Sequence, residues 1–347
     1  MSPSLSFAQR LITWQRQHGR HHLPWQTREP YRVWLSEIML QQTQVATVLE
    51  YYPRFIAAFP DVASLAHAEQ DQVLQLWAGL GYYSRARNLH KAAQQVVHNF
   101  GGQFPQTRPE LEQLCGVGRS TAAAIAAFAF HQRETILDGN VKRVLCRVFA
   151  QDGAPNDKKF EQALWALAES LLPDLPDDMP AYTQGLMDLG ATVCKRNQPL
   201  CTTCPMSDIC QAKAHQRIAE LPRKKTAVTV QHLPLFWLVL RHHDTLLLEK
   251  RPQQGIWAGL YCVPSFHSLT ELHAYAQQLG IDPSELQERP TFTHKLTHRL
   301  LEITPFEATY SHPPPPQTLW LTPQQQADYG IPKPLQRYLA QTQGSLF

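Results

Sequence analysis

The chain has 347 residues, which is long for one hydrophobic core and predicts two or three domains. Hydrophobic residues make up 43% and charged residues 18%, values typical of a soluble globular protein. With 32 Lys and Arg against 29 Asp and Glu, the net charge is +3, which permits nucleic-acid binding without arguing for it. No stretch reaches the roughly 18 apolar residues of a membrane span, and the N-terminus lacks a cleavable leader pattern, so an intracellular location is expected.

Apolar spacing predicts a helical region followed by a smaller domain. Residues 1–215 carry apolar residues at helical intervals between Gly, Pro and Asp residues. Residues 216–229 combine basic residues and a proline without apolar periodicity, which is typical of a linker. Residues 230–347 alternate strand-like runs with short helices, which predicts an α/β or α+β domain.

The segment LCGVGRSTAAAIA, residues 114–126, carries a hairpin motif. Gly116 and Gly118 allow a tight turn and close approach of a ligand, and the amides that open the next helix offer a phosphate site. Together with the preceding RPELEQL, the pattern matches a helix-hairpin-helix at about residues 110–130, a motif that grips the DNA backbone without reading its sequence. A plain helix–helix turn is the alternative.

Asp138, in ILDGNVKR, stands between an apolar run and a basic helix. Aspartate followed by Gly and Asn is ordinary helix-capping chemistry, so Asp138 is either a cap or a catalytic anion. The two interpretations are compatible. The free amides and the positive end of the helix dipole favour a carboxylate that stays ionised.

The helical region ends in a cysteine-rich loop, CKRNQPLCTTCPMSDIC. Cys194, Cys201, Cys204 and Cys210 are separated by six, two and five residues. One Cys-x-x-Cys flanked by single cysteines favours a four-iron four-sulfur cluster over zinc, whose sites usually use two such pairs well apart. With four thiols available the site is closed, so a structural role is expected, and a disulfide framework is not.

Several segments agree in order and spacing with a known family. SEIMLQQTQV, GLGYYSRARNLHKAA, GVGRSTA, ILDGNVKR and the cysteine loop resemble the endonuclease III superfamily of base-excision glycosylases, and within it the adenine DNA glycosylases of the MutY type. The resemblance implies an all-α catalytic domain into which the target base is flipped. It also implies removal of adenine opposite 8-oxoguanine or guanine in duplex DNA. A monomeric, cytoplasmic, nucleoid-associated bacterial enzyme without membrane contact is expected.

The resemblance assigns roles to individual residues. Glu37 would protonate the leaving adenine and Asp138 would stabilise the oxocarbenium-like sugar, a division of labour between two carboxyl groups as in glycoside hydrolysis. Glu37 lies in an apolar helix, so desolvation should raise its pKa and keep it protonated. A paired helix glutamate is the alternative. Gln42 and Tyr82 match family positions that act at the flipped-base step, with a core tyrosine as the alternative for Tyr82. The other residues predicted to serve DNA binding are Gly116, Gly118 and Ser120 of the hairpin and the candidate phosphate contacts Arg85, Arg87, Arg119 and Lys142, for which solvated surface is the alternative. Asn140 is expected either to hold the Asp138 carboxylate by a hydrogen bond or to cap the helix.

Ser120 bears on the type of reaction. Relatives that also cut the strand carry a lysine nucleophile just after the hairpin, where it forms a Schiff base. Serine cannot do so, which predicts a monofunctional enzyme that stops at the abasic site.

The second domain resembles the family's 8-oxoguanine-recognising, Nudix-like domain through LLLEKRPQQGIWAGLYCVPSF. The helix that follows, SLTELHAYAQQLG, lacks the glutamate cluster of a working Nudix hydrolase, so the domain should bind rather than cut. The family's recognition loop aligns with Leu296, Thr297 and His298, where leucine replaces an aromatic residue. Thr297 and His298 are the predicted contacts to 8-oxoguanine.

Three alternatives are weaker. A bifunctional endonuclease III-like glycosylase/lyase is opposed by Ser120 and by the C-terminal domain. A non-catalytic sensor of DNA lesions is opposed by the presence of both Glu37 and Asp138. A Nudix hydrolase with a helical DNA-binding appendage is opposed by the missing glutamate cluster.

Overall fold

The structure is a computed structural model that describes residues 5–154, 157–223 and 230–343. Its contacts divide the chain into two compact units: the first contains residues 1–67 and 91–226, the second residues 68–90 and 227–347. Residues 68–90, placed by sequence in the helical domain, therefore group with the C-terminal part of the chain. The reason is side-chain contact at long range: Asp71 accepts hydrogen bonds from Lys250 at 2.7 Å and from the Tyr261 hydroxyl at 2.9 Å.

The chain up to residue 215 is helical, as its apolar spacing predicts. In order, the helices are α1 (Phe7–His18), α2 (Pro30–Leu40), α3 (Val45–Ala58), α4 (Val62–His67), α5 (Gln70–Trp77), α6 (Ser84–Phe100), α7 (Arg108–Leu111), α8 (Arg119–Phe130), α9 (Gly139–Val148), α10 (Lys158–Ser170), α11 (Met179–Asp188) and α12 (Gln211–Ala214). A π-helical turn, Leu189–Val193, continues α11.

The core of the first unit brings α2 against α8 and α1 against α11. Helix α8 contributes a buried run from Ala122 to Ala127 that is alanine at every position except Ile125. Small residues let a neighbouring helix approach closely, and α2, which packs on α8, contributes large buried side chains such as Trp34 and Leu35 to the core. Helix α2 begins at Pro30, and the Glu29 carboxylate accepts hydrogen bonds from the first free amides.

A mixed sheet forms the centre of the second unit. The strands are β1 (Gln231–His242), β2 (Thr245–Lys250), β3 (Tyr261–Cys262), β4 (Ser265–Phe266), β5 (Gln287–Glu288), β6 (Phe292–Lys295), β7 (Arg299–Thr309) and β8 (Leu319–Leu321), and the later helices are α13 (Leu269–Gln278), α14 (Pro323–Gln326) and α15 (Lys333–Gln343). The main order is β3-β2-β1-β7-β5, with β4 beside β1, β6 beside β7 and β8 beside β2. Strands β1 and β7 run parallel, and the other pairs are antiparallel.

Part of the predicted linker, residues 216–229, packs on the helical unit. Leu221 is 1% exposed, and its carbonyl accepts a hydrogen bond from Arg147 at 2.9 Å. Asp152 pairs with Arg217 and Arg223. Residues 224–229 of the predicted linker lie outside the described residues. Among the helices that the structure describes, none is long and apolar enough to cross a membrane.

Candidate active site

Glu37 lies on α2 at the wall of a cavity of about 400 Å³ in the first unit. Burial raises the pKa of its carboxyl from 4.5 to about 8, and the negative charge of Asp138 adds to the rise. The prediction of a raised pKa is therefore confirmed, with desolvation as the main cause. At neutral pH Glu37 keeps its proton, so it can act as an acid toward a group that enters the cavity.

Asp138 is the N-cap of α9. Its Oδ1 accepts hydrogen bonds from the backbone amides of Asn140, at 2.9 Å, and Val141, at 2.8 Å. The residue is otherwise exposed, and its second carboxylate oxygen takes no part in the cap. The capping interpretation is therefore confirmed, and the role of Asp138 in catalysis stays a prediction.

The hairpin predicted around Gly116 and Gly118 is present, and a hydrogen bond links the helix that follows it to the residue before Asp138. Gly116 has a φ of +78°, the left-handed conformation that favours glycine. Gly118 is extended and opens α8 without a side-chain cap, and a Cβ placed there would meet nothing within 4 Å. Two residues after Gly118, the Ser120 Oγ accepts a hydrogen bond from the Leu137 amide at 3.0 Å. Ser120 therefore fixes the backbone just before Asp138.

Two arginines that the sequence did not single out tie α9 to the cysteine loop. Arg143 donates to the Asn140 side chain at 2.9 Å, to the Gly190 carbonyl at 2.8 Å and to the Cys194 carbonyl at 2.8 Å. Arg147 is only 4% exposed and donates to the Lys195 carbonyl at 2.7 Å. Their spacing, four residues apart on one helix face, is the only sequence signal that could have indicated them.

The four predicted cluster ligands line one small cavity. Arg147 Nη1 lies 3.5 Å from Cys194 Sγ, and the remaining lining is largely apolar, with Val144, Leu189 and Val193. Across the described parts of the chain, no three His, Cys, Asp or Glu side chains form a ready metal-binding group. The thiols fit a metal–sulfur group by their chemistry and by the cavity they share. The four ligands in question are Cys194, Cys201, Cys204 and Cys210.

Two predicted DNA-contacting cations are paired with carboxylates. Lys142 bonds to Glu161. Arg119 bonds to Glu169 and lies 3.9 Å from the centre of the Trp165 ring. These pairs are partly exposed, so they cost little to exchange for phosphate contacts.

Gln42 and Tyr82 share an unusual backbone conformation. Their φ angles are +56° and +48°, in the left-handed region that is costly for residues other than glycine. Both side chains are exposed, Tyr82 by 45%. Their contact with DNA bases stays a prediction.

Within the second unit, Tyr82 meets the predicted recognition loop. The Thr297 hydroxyl donates to the Tyr82 hydroxyl at 3.2 Å, and both line a groove of about 940 Å³. Leu296 and His298 line the same groove. The groove also takes in Arg87, whose side chain donates to the Ala258 carbonyl at 2.8 Å. Residues 215 positions apart in sequence are thus brought to one surface.

Comparisons with known proteins agree with this geometry. Residues 35–170 match the HhH-GPD superfamily of base excision DNA repair proteins, and residues 236–341 match the NUDIX domain. The chain is similar to the adenine DNA glycosylase of Buchnera aphidicola subsp. Acyrthosiphon pisum (strain APS), with 35% identity covering 98% of this chain and 99% of that protein. It is 46% identical to the adenine DNA glycosylase of Rattus norvegicus over 62% of this chain and 43% of that protein. A solved structure of a thermostable thymine-DNA glycosylase aligns with a TM-score of 0.54 and 28% identity, covering 60% of this chain and 95% of that one.

The fold and the hairpin therefore define a helix-hairpin-helix DNA glycosylase joined to a Nudix-like domain. More narrowly, the chain belongs to the adenine DNA glycosylase family. The predicted helix-hairpin-helix domain, the Nudix-like domain and the enzyme class are confirmed: this is a base-excision repair enzyme that acts on DNA and removes adenine. The iron–sulfur cluster stays a prediction.

Proposed function

We propose that the enzyme removes adenine paired with 8-oxoguanine or guanine, with Glu37 as the general acid and Asp138 as the stabilising anion. The observation that carries the mechanism is the contrast between the two carboxyl groups. Glu37 is held protonated by burial, with a pKa of about 8, beside a cavity. Asp138 is held by two backbone amides at a helix N-terminus.

In the proposed reaction the two carboxyl groups act one after the other. Glu37 gives its proton to a ring nitrogen of the flipped adenine, so the base leaves neutral as the bond to C1′ breaks. The positive charge that develops on the sugar is stabilised by the Asp138 carboxylate, whose free oxygen is not used in the cap. Water then adds to C1′, and the carboxylate left on Glu37 accepts its proton. We propose that the enzyme acts as a monomer.

We also propose a four-iron four-sulfur cluster held by Cys194, Cys201, Cys204 and Cys210. Such a cluster would supply a rigid covalent centre for the loop that follows Gly190. The chain's own part is to carry that rigidity to the active site, since Arg143 links the Cys194 carbonyl to Asn140 at the start of α9.

The Nudix-like unit is proposed to recognise the base opposite adenine rather than to hydrolyse a nucleotide. The glutamate of helix α13, Glu271, is used in a capping box and accepts from the amides of His267 at 3.1 Å and Ser268 at 3.3 Å. By contrast, Thr297 and His298 lie at a groove surface, where they are accessible to a base or a phosphate.

The substrate assignment is tested with four duplexes, which carry A opposite 8-oxoguanine, A opposite G, A opposite T, and thymine glycol. We expect alkali-dependent cleavage at the two mispaired adenines, none at A opposite T or thymine glycol, and no nicking before alkali. Borohydride trapping should be weak, because Ser120 is not an amine and its hydroxyl already bonds to the Leu137 amide. Cleavage only at thymine glycol, or nicking before alkali, would contradict the proposal.

The role of the recognition loop is tested with Thr297→Val, which keeps the side-chain shape but removes the hydroxyl that bonds to Tyr82. We expect the preference for 8-oxoguanine over guanine to fall about three- to tenfold, the value of one hydrogen bond. The matched control is Thr293→Val, an exposed threonine on β6 outside the groove. An unchanged preference in Thr297→Val, or an equal loss in the control, counts against the assignment.

A further inference from the structure

The Nudix-like unit has a cavity of about 420 Å³ whose described lining contains two arginines and no carboxylate. Arg251 comes directly after β2, and Arg299 is the first residue of β7. The same cavity has an apolar wall that includes Leu235 and Trp257, both buried. Positive charge is thus gathered in a concave site instead of being spread over an open surface.

Both arginines lack a carboxylate partner within the described residues, although Arg289 of the same unit pairs with Glu307 at 2.8 Å. Arg251 Nε is buried and makes no hydrogen bond within the described parts of the chain. Its backbone is held on both sides, since the amide donates to the Leu260 carbonyl at 2.7 Å and the carbonyl accepts from Gly259 at 3.3 Å. A buried donor without an acceptor is costly, so an anion that entered the cavity would gain an unused partner.

The carboxylates nearest to this cavity in sequence have other partners. Glu302, three residues after Arg299, bonds to His232 at 2.8 Å. Glu271, four residues after His267 of the cavity lining, accepts from backbone amides at the start of α13. The arginines therefore keep their charge for a ligand.

The cavity adjoins the groove of the predicted recognition loop. Gly255, Ile256, Trp257 and Arg299 line both. Arg299 also follows His298 directly in the chain. Because every base of a DNA strand is flanked by phosphates, a strand whose base enters the groove brings a phosphate toward the cavity.

We propose that the cavity is a phosphate-binding site, in which Arg251 and Arg299 hold a phosphate next to the base at the recognition loop. The inference rests on the proposed role of the Nudix-like unit and deepens it. Guanidinium groups suit this ligand because their paired N–H donors match two phosphate oxygens. A phosphate contact fixes the position of the strand without identifying the base, which is left to Thr297 and His298. A free nucleotide carries the same phosphate chemistry and is the other possible source of the ligand.

The experiment measures the affinity of the full-length chain for duplex between about 50 and 200 mM salt, with A opposite 8-oxoguanine or opposite G. All variants carry Glu37→Gln, which keeps the duplex intact. The double substitution Arg251→Gln with Arg299→Gln should weaken binding about tenfold and lower the slope of log affinity against log salt by about 0.9, the value for one phosphate. The loss should be equal for the two duplexes, because a phosphate carries no base identity.

Arg299→Gln alone keeps the test valid if the double variant does not fold, because Arg299 is exposed, and it should show part of the same loss. The matched control is Arg289→Gln, which removes one positive charge from the same unit outside the cavity and should leave the slope unchanged. An equal loss in the control overturns the inference. So does a loss confined to the 8-oxoguanine duplex, because the arginines would then contact the base.

The source of the phosphate is decided by titrating the unmodified chain with inorganic phosphate and with dGMP. Binding of dGMP that Arg299→Gln weakens, with an unchanged duplex slope, would support the site and assign it to a free nucleotide. An unchanged slope without binding of phosphate or dGMP overturns the inference. Failure of the unmodified enzyme to release mispaired adenine would contradict the proposed function instead, since the slope is measured on uncleaved duplex.

Discussion

Asp138→Asn should reduce single-turnover excision of adenine by about 10²–10³-fold, the usual loss when one stabilising group at a developing charge is removed. The substitution keeps the side-chain shape, and the amide oxygen can still accept from Asn140 and Val141. The fold and the affinity for mispaired duplex should therefore be kept. The measurement is the rate of adenine release at saturating enzyme, together with duplex binding and the thermal transition.

The chain offers a matched control for this variant. Asp157 caps α10 in the same manner, with its carboxylate accepting from the Lys159 amide at 2.9 Å, but it has no place in the active site. Asp157→Asn should lose no more than a few tenths of a kcal/mol of helix stability and none of the excision rate. Equal rates for Asp138→Asn and the unmodified enzyme would remove Asp138 from the mechanism.

The Asp138→Asn substitution should also change the pKa of Glu37. The negative charge of Asp138 contributes to the raised pKa of Glu37, so the substitution should lower that pKa. The residual activity of the variant should then decline at lower pH than that of the unmodified enzyme. The two carboxyl groups are thus coupled: the anion that stabilises the sugar also helps the acid to keep its proton.

Local sequence predicted the helices and the desolvation of the Glu37 carboxyl, since each depends on the residues next to it. The apolar neighbours of Glu37 on α2 already implied a desolvated carboxyl, and the cap on α9 was visible in ILDGNVKR. Contacts between distant segments were not predictable. The Ser120–Leu137 bond spans 17 residues and the Arg20–Asp188 pair 168, and no periodicity encodes either.

Glu37→Gln should reduce adenine excision by about 10²–10⁴-fold, the range typical for loss of a general acid. In the unmodified enzyme, the rate should fall about tenfold per pH unit above a midpoint near 8, where Glu37 loses its proton. The variant should lose this dependence, since glutamine does not titrate. A pH profile of single-turnover rates checks both statements, and a falling limb that persists in Glu37→Gln would assign the titration to another group.

The same substitution should make the protein more stable at neutral pH. The folded pKa of Glu37 is raised to about 8 from an ordinary value of 4.5, so the unfolded chain ionises first as the pH rises. The stability linked to Glu37 is therefore complete below about pH 4.5 and is lost progressively up to about pH 8. Glutamine pays no such penalty, and Glu37→Gln should exceed the unmodified enzyme by on the order of 1–3 kcal/mol at about pH 7, with the difference vanishing near pH 4.5. Denaturant unfolding at the two pH values measures it. A variant that is less stable at neutral pH would mean that the Glu37 carboxyl is stabilised by its surroundings, and then burial would not be what keeps the acid protonated.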